Sequence, residues 1–381
     1  MTRFAIAGAE IFDGTKRRAQ HAVIVDNARI LDVVPEAEVP SDLPVRRLPG
    51  GVLAPGFIDA QANGGGGVLL NDAPTSDGVR TICDAHAKFG TTALLPTLIT
   101  DSPAITTKAV ASVKQAIAAG ALGCLGIHLE GPFLSPERRG AHDANLMRTM
   151  TEADVDEILS LGIETLLLTV SPERIAPGLI RRLVQGGAIV SLGHSNATYD
   201  QILMAVDAGA RGVTHLFNAM SPLTHRAPGV VGGALDAGEL WCGMIADGHH
   251  VHPAAIGIAL RAKRQPGRIF LVTDAMSTVG SDQQTITLNG RTVWRRNGAL
   301  ELEDGTLAGS DLDMMSAVRY LVRQVGVELG EALRMASTYP AEFLKRSDLG
   351  RIAAGARADL VHIDDDLKVK ATWRAGIQLG V

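Results

Sequence analysis

Short apolar runs recur along the middle of the chain with a steady rhythm. They are VLAPGFID (52–59), TALLPTL (92–98), CLGIHLE (124–130), ETLLLTV (164–170), AIVSLGH (188–194), GVTHLF (212–217), WCGMIAD (241–247) and IFLVTDA (269–275). Near-continuous apolarity over so few residues marks strands covered on both faces, as in a parallel sheet. Between most of them lie segments with helical spacing and helix-start signals. AITTKAVASVKQAIAAG follows Pro103, TEADVDEILSLG opens on Thr151 as N-cap, and YDQILMAVDAG opens on Thr198. Eight such strands with helices between them predict an α/β fold, a TIM-type (β/α)8 barrel over residues 53–349.

The two ends of the chain read differently. FAIAG (4–8) and AVIVDNARILD (22–32) are short strands broken by turn chemistry at Asp13-Gly14 and Asp26-Asn27. ADLVHID and VKATWRAGIQL, punctuated by Gly355 and Gly376, repeat that style near the C-terminus. Residues 1–52 and 350–381 therefore predict one small β-sandwich domain built from both termini. After the eighth run, TITLNGRTVWRRNGALELEDG alternates and carries Asn289-Gly290, Asn297-Gly298 and Asp304-Gly305, which predicts a β-hairpin insertion near 283–303. DLDMMSAVRYLVRQVG then sets Leu312, Met315, Val318 and Val322 on one face of a closing helix.

Composition narrows the class. The 381 residues are 46% hydrophobic but only 4% aromatic, so aliphatic side chains must fill the core. A net charge of −5, with both signs dispersed, offers no basic block for nucleic acid. Cys83, Cys124 and Cys242 are too few and too scattered for a disulfide framework, which fits a reducing compartment. Glu10 interrupts what would be the apolar stretch of a signal peptide, and no run of about 18 apolar residues marks a membrane span. The reading is a soluble, cytoplasmic protein with no membrane partner.

Barrel enzymes carry their chemistry at the C-terminal ends of the strands. Those positions hold Asp59 and Gln61, Glu130, His194, His215, Asp247 and Asp274. Any one of them alone reads as a hydrogen-bonded strand end. Together, a carboxylate and two histidines converging from different strands read as a three-ligand metal site with one place open for water. Asp274, at the end of the last strand, is placed to accept and return a proton; its plainer reading is an N-cap.

Six segments then carry a resemblance: PGFIDAQANGGGG (55–67), HLEGPFLSPERRGAHD (128–143), GHSNATYDQ (193–201), THLFNAMSPLTHRAPG (214–229), IADGHHVHP (245–253) and LVTDAMSTVG (271–280). In order and spacing they resemble the N-acetylglucosamine-6-phosphate deacetylases of the amidohydrolase superfamily. The resemblance implies removal of acetate from N-acetyl-D-glucosamine 6-phosphate, in amino-sugar catabolism. It implies Glu130, His194 and His215 as ligands of one divalent metal per subunit, zinc first, with Fe2+, Co2+ or Mn2+ as alternatives. It assigns Asp274 as general acid and base, and His142, beside Ala141, to the substrate and its acetyl carbonyl. Asn218 and Ala219 match a pair whose backbone amides receive the phosphate. Arg226 and His250 match side chains at the phosphate end, contributed across the interface of a homodimer. Leu307, Ala308 and Gly309 match a loop that closes over the sugar. His225, His249 and His252 receive no role.

One departure matters. Many amidohydrolases follow the first strand with His-x-His, which supplies ligands for a second metal; here the positions are Gln61 and Asn63. Neutral amides are poor ligands beside imidazole, so a single metal is expected, with Gln61 hydrogen-bonding the water or the substrate. Two alternatives stay open: an amidohydrolase for a cyclic amide, and a catalytically silent scaffold. Retention of Glu130, His194, His215 and Asp274 together speaks against the second.

Overall fold

In the computed structural model, which describes residues 3–380, the apolar runs of the middle segment become one sheet of eight parallel strands. These are β1 (Phe57–Ala62), β2 (Thr91–Ile99), β3 (Ile127–Glu130), β4 (Leu166–Val170), β5 (Ile189–Leu192), β6 (Gly212–Val213), β7 (Trp241–Met244) and β8 (Ile269–Leu271). Each strand pairs with its neighbour in sequence. The ring is drawn together by a parallel bridge from Ala62 to Ala275 just past β8. There the Asp274 N–H donates to the Gln61 carbonyl (2.9 Å), and the Gly64 N–H to that of Ala275 (2.9 Å). Asp59 braces the same seam: fully buried on β1, it accepts from the Thr273 N–H (3.2 Å) and the Thr273 hydroxyl. Burial pushes its carboxyl above the usual range, against the nearby His86 and these hydrogen bonds.

The helices form where the start signals stood. Thr151 and Thr198 each cap a helix, accepting from the Asp154 and Gln201 amides at 3.4 and 3.3 Å, and both close a reciprocal capping box. The closing helix spans Met314–Tyr320 and ends in one wider turn, Leu321–Val325, before a left-handed Gly326. No helix among the described residues is long and apolar enough to cross a membrane.

The run at 52–59 is not one strand. Val52–Pro55 pairs in parallel with Glu10–Ile11 and antiparallel with Leu360–Ile363, so it belongs to the small domain. The chain crosses to β1 at Gly56, where a Cβ would stand 2.3 Å from the Thr92 side chain, and only glycine fits. That domain comprises a four-stranded sheet of N-terminal strands and a six-stranded sheet in which both termini meet. Phe4, Ile6 and Val23 of the first pack with Ile11, Leu53, Leu360 and Trp373 of the second in one apolar core.

The insertion near 283–303 is larger than a hairpin. It is a four-stranded antiparallel meander, Thr285–Leu288, Arg291–Arg296, Ala299–Glu301 and Leu307–Ser310. Its first two turns have the signature residues, with Asn289, Gly290, Asn297 and Gly298 all left-handed (φ 50°, 72°, 51° and 82°). Ile286, Leu288, Val293 and Leu300 bury against Leu69, Ile99 and Met276 of the barrel mouth. A hairpin alone has too little apolar face to seat itself; the added strands supply it.

Candidate active site at the barrel mouth

Glu130 is the last residue of β3, His194 and His215 lie two residues beyond β5 and β6, and Asp274 lies three beyond β8. At His194, His215 and Asp274 the backbone is left-handed (φ 47°, 31° and 54°). For a residue other than glycine this costs on the order of 1–3 kcal/mol, and it persists only where the surroundings impose it. Here backbone hydrogen bonds with a neighbouring loop and a neighbouring strand hold the two histidine turns. The Ser135 N–H donates to the His194 carbonyl (2.9 Å) and the Leu216 N–H to that of Gly243 (2.7 Å). The turns swing three side chains out of the strand planes towards the barrel axis.

There the Glu130 Oε1 lies 3.1 Å from His194 Nε2 and 3.0 Å from His215 Nε2, and the two Nε2 atoms are 3.1 Å apart. All three residues are buried. The His194 Nδ1–H donates to the Arg138 carbonyl (2.8 Å), which leaves Nε2 with its lone pair. Burial opposes ionisation of Glu130, but the two imidazoles packed against it, His194 and His215, outweigh it and hold the carboxyl well below its usual range. Two imidazole nitrogens and a carboxylate oxygen around one buried point form a donor set that fits a divalent ion at the usual distances of about 2.0–2.2 Å. Zinc suits these donors, as do Fe2+, Co2+ and Mn2+.

The side-chain amides of Gln61, near the end of β1, and Asn63, just past it, face inward as donors. The Gln61 side-chain amide donates to both Glu130 oxygens (3.2 and 3.2 Å) and to Asp274 Oδ1 (3.0 Å). The Asn63 amide donates to that same Asp274 oxygen at 2.7 Å. An N–H that donates cannot ligate a cation, so the two amide nitrogens offer a second ion no lone pair, and among the described residues the Asn63 Oδ1 is left without a hydrogen-bond partner. Burial first, and the negative Glu130 second, raise the Asp274 carboxyl to about 6.

The imidazole of His142 tilts over that of His194, with ring centres 4.4 Å apart. Its Nδ1 accepts from the Thr100 N–H (3.3 Å) and lies 2.9 Å from the Thr100 hydroxyl. A backbone amide can only donate, so the proton of the neutral ring sits on Nε2, 3.9 Å from Glu130 Oε2. Burial and the neighbouring His194 lower its pKa to about 3, which keeps it neutral. On the far side, the His250 Nδ1–H donates to Asp247 (2.6 Å), whose other oxygen takes the His249 and His250 amides, both at 2.9 Å. Asp247 thereby orients His250 and leaves its Nε2 free for a ligand.

These groups surround one cavity of about 280 Å3. Its wall includes Asn63, Glu130, Ala141, His142, His194, His215, Asn218, Ala219, His250, Asp274, Leu307 and Gly309. A second cavity, about 330 Å3, opens beside the Pro103–Ala118 and Glu152–Ser160 helices, but it holds an Arg148–Asp154 ion pair and no converging catalytic groups.

Several expectations need correction. Gln61 does not border the cavity; it works underneath, on Glu130 and Asp274. The Asn218 amide is taken by the His215 carbonyl (2.9 Å) to close the turn, so it is not half of an anion nest. The Ala219 N–H has no protein acceptor among the described residues. Leu307, Ala308 and Gly309 sit in a strand rather than a loop, with Ala308 turned into the apolar core of the meander. His250 lines the cavity of its own chain, so it needs no partner subunit to reach it. Arg226 does not reach that cavity and projects from an exposed loop.

No pattern in the sequence marked Thr100, or Asn289 and Arg291, which hold the Ala141 carbonyl at 3.0 and 2.8 Å beside His142. Asp247 was visible at its strand end, and its spacing three residues before His250 is the sign of its task.

Comparison with known proteins agrees with this geometry. Residues 52–378 match the amidohydrolase family, and residues 3–53 match the NagA composite domain. An N-acetylgalactosamine-6-phosphate deacetylase of Shewanella sp. (strain ANA-3) is 47% identical over 89% of this chain and 86% of its own. The N-acetylglucosamine-6-phosphate deacetylase of Haemophilus influenzae is 32% identical over 97% of both chains. The crystal structure of the N-acetylglucosamine-6-phosphate deacetylase from Pasteurella multocida superimposes with a TM-score of 0.96 at 34% identity, covering 100% of both chains. A mutant of the Mycobacterium smegmatis enzyme, in complex with N-acetyl-D-glucosamine-6-phosphate, gives 0.92 at 33% identity over 99% of both. The chain therefore belongs to the amidohydrolase family and, within it, to the N-acetylhexosamine-6-phosphate deacetylases.

Proposed function

We propose that this protein hydrolyses the acetamide of N-acetyl-D-glucosamine 6-phosphate to acetate and D-glucosamine 6-phosphate, in the cytoplasm. The observation that carries the reading is the meeting of Glu130, His194 and His215 with Asp274 and His142 in one cavity. A divalent ion held by the first three would supply Lewis acidity to water and to the acetyl carbonyl. Asp274, with Oδ1 held by Gln61 and Asn63, takes the proton of the attacking water through its other oxygen. The water oxygen adds to the amide carbon, and the Nε2–H of His142 would donate to the oxygen that becomes negative. Asp274 then returns the proton to the sugar nitrogen, the C–N bond breaks, and acetate and the amine leave. The phosphate anchors the far end, at His250 and the Ala219 N–H, with Arg226 supplied by a neighbouring subunit of a homodimer.

A silent scaffold is disfavoured by the three left-handed backbones at His194, His215 and Asp274, a cost with no return unless the side chains are used. A cyclic-amide hydrolase is disfavoured by the two donor amides in place of second-metal ligands. One further reading rests on a specific observation. The relative at 47% identity is named for the galactosamine sugar, so N-acetyl-D-galactosamine 6-phosphate is the second candidate, differing only at C4. Acetate release from both phosphorylated epimers and from unphosphorylated N-acetylglucosamine decides. The proposal requires the gluco epimer to give the highest kcat/KM and the unphosphorylated sugar to be poor. A large preference for the galacto epimer would move the assignment to it, and no release from any would refute the deacetylase reading.

A further inference from the structure

The ring and the backbone of His194 are both held from outside the cavity. The residue after it, Ser195, is fully buried, and its hydroxyl donates to Glu173 Oε2 at 2.8 Å. The next amide, of Asn196, donates to Glu173 Oε1. Glu173 sits in the short turn Pro172–Arg174 after β4, so a carboxylate from one barrel loop grips the turn that follows a ligand on the next strand. The grip continues to the ring. The Asn196 side-chain oxygen accepts from Arg138 Nε and Nη2 (3.1 and 2.9 Å), and the carbonyl of Arg138 takes the His194 Nδ1–H. By contrast, His215 Nδ1 has no hydrogen-bond partner among the described residues.

We propose that Glu173 is a positioning residue for metal binding: its carboxylate holds His194 in the left-handed turn that points Nε2 at the ion. Glu173 does not border the cavity and touches no reacting atom, so it acts only through Ser195 and Asn196. Partners that orient a ligating histidine without touching the metal are commonly worth about tenfold to a hundredfold in metal affinity. Without the carboxylate, the Asn196 amide and the Ser195 hydroxyl lose their acceptor, and the turn can relax to an ordinary backbone. Glutamine keeps part of the clamp. Its oxygen accepts the Asn196 amide while its NH2 donates to the Ser195 oxygen.

The inference rests on the reading of Glu130, His194 and His215 as metal ligands, and the test separates the two. Metal-stripped wild type, Glu173→Ala and Glu173→Gln are titrated with Zn2+ against a chromophoric chelator, and the thermal midpoints of the stripped proteins are compared. Zn2+ binding should weaken about tenfold to a hundredfold in Glu173→Ala and recover to within a few-fold of wild type in Glu173→Gln. The metal-free midpoint of Glu173→Ala should fall by no more than about a few degrees, because the turn relaxes as its acceptor is lost. An unchanged Zn2+ affinity in Glu173→Ala overturns the inference, and so does a weakening matched by an equal fall in metal-free stability. If the wild type itself binds no Zn2+, the metal reading fails instead. Should Glu173→Ala not fold, Ser195→Ala removes one arm of the same clamp; binding must weaken there too, and unchanged binding overturns the inference.

Discussion

At the level of single residues, the site separates groups that do chemistry from groups that hold them. Asp274 is raised to about 6 by burial and by Glu130, while two side-chain amides occupy one of its oxygens, so a single oxygen is left for proton transfer. Asp274→Asn keeps shape but loses the base. Because both proton transfers pass through this group, kcat should fall towards the upper end of the usual effect of about 10²–10⁴-fold, with metal content unchanged. Steady-state kinetics with elemental analysis checks this, and a variant within a few-fold of wild type would remove Asp274 from the mechanism. Glu130, His194, His215 and Asp274 were legible in the sequence because each is a charged or metal-loving residue at a strand end, where burial without a partner is costly, whereas His142, on a loop, came only through the resemblance. Some of the groups that hold them were not. Thr100 and Arg291 act through a backbone contact on another loop, and nothing in their own sequence neighbourhood encodes which carbonyl or ring they will meet.

Among the elements, strands buried on both faces announced themselves. All five residues of β4 are buried, and the run ETLLLTV shows it. Junctions did not announce themselves: the break at Gly56 depends on Thr92, a residue far along the chain that the local pattern cannot see. Turns are more local. Asp13 Oδ1 accepts from the Thr15 amide (2.9 Å), the Thr15 hydroxyl (2.6 Å) and the Lys16 amide (2.9 Å), while Oδ2 takes Arg18 Nε at 2.8 Å. Burial opposes the charge, but these bonds outweigh it and lower the carboxyl from 3.8 to about 2. A depressed acid stabilises the fold above its unfolded pKa, and that contribution is lost as pH falls through the folded one. Asp13→Asn should therefore cost on the order of 1–2 kcal/mol near neutral pH, and the gap should narrow as pH drops from about 4 towards about 2. Urea unfolding at a series of pH values measures it; a gap independent of pH would mean the charge is not what matters.

Across the whole molecule, the barrel brings ligands from β3, β5 and β6 to one point, and the meander and the small domain frame it. What a single chain does not bring to its own cavity is Arg226. If that guanidinium serves a neighbour, Arg226→Ala should raise KM about tenfold to a hundredfold for the phosphorylated sugar and leave the unphosphorylated one unaffected. Mixing Arg226→Ala with Asp274→Asn protein should then yield more activity than the two give separately, because a mixed dimer rebuilds one complete site. Activity equal to the sum of the two would place Arg226 outside the site. The proposed chemistry turns on metal count: it calls for one ion per chain at Glu130, His194 and His215, with the Gln61 and Asn63 nitrogens acting as hydrogen-bond donors. Chelation followed by stepwise return of Zn2+, with acetate release from the phosphorylated amino sugar followed at each step, reads this out. Activity should be abolished by chelation, regained in proportion up to one equivalent per chain and flat thereafter. Activity indifferent to the chelator, or restored only at two equivalents, would contradict it.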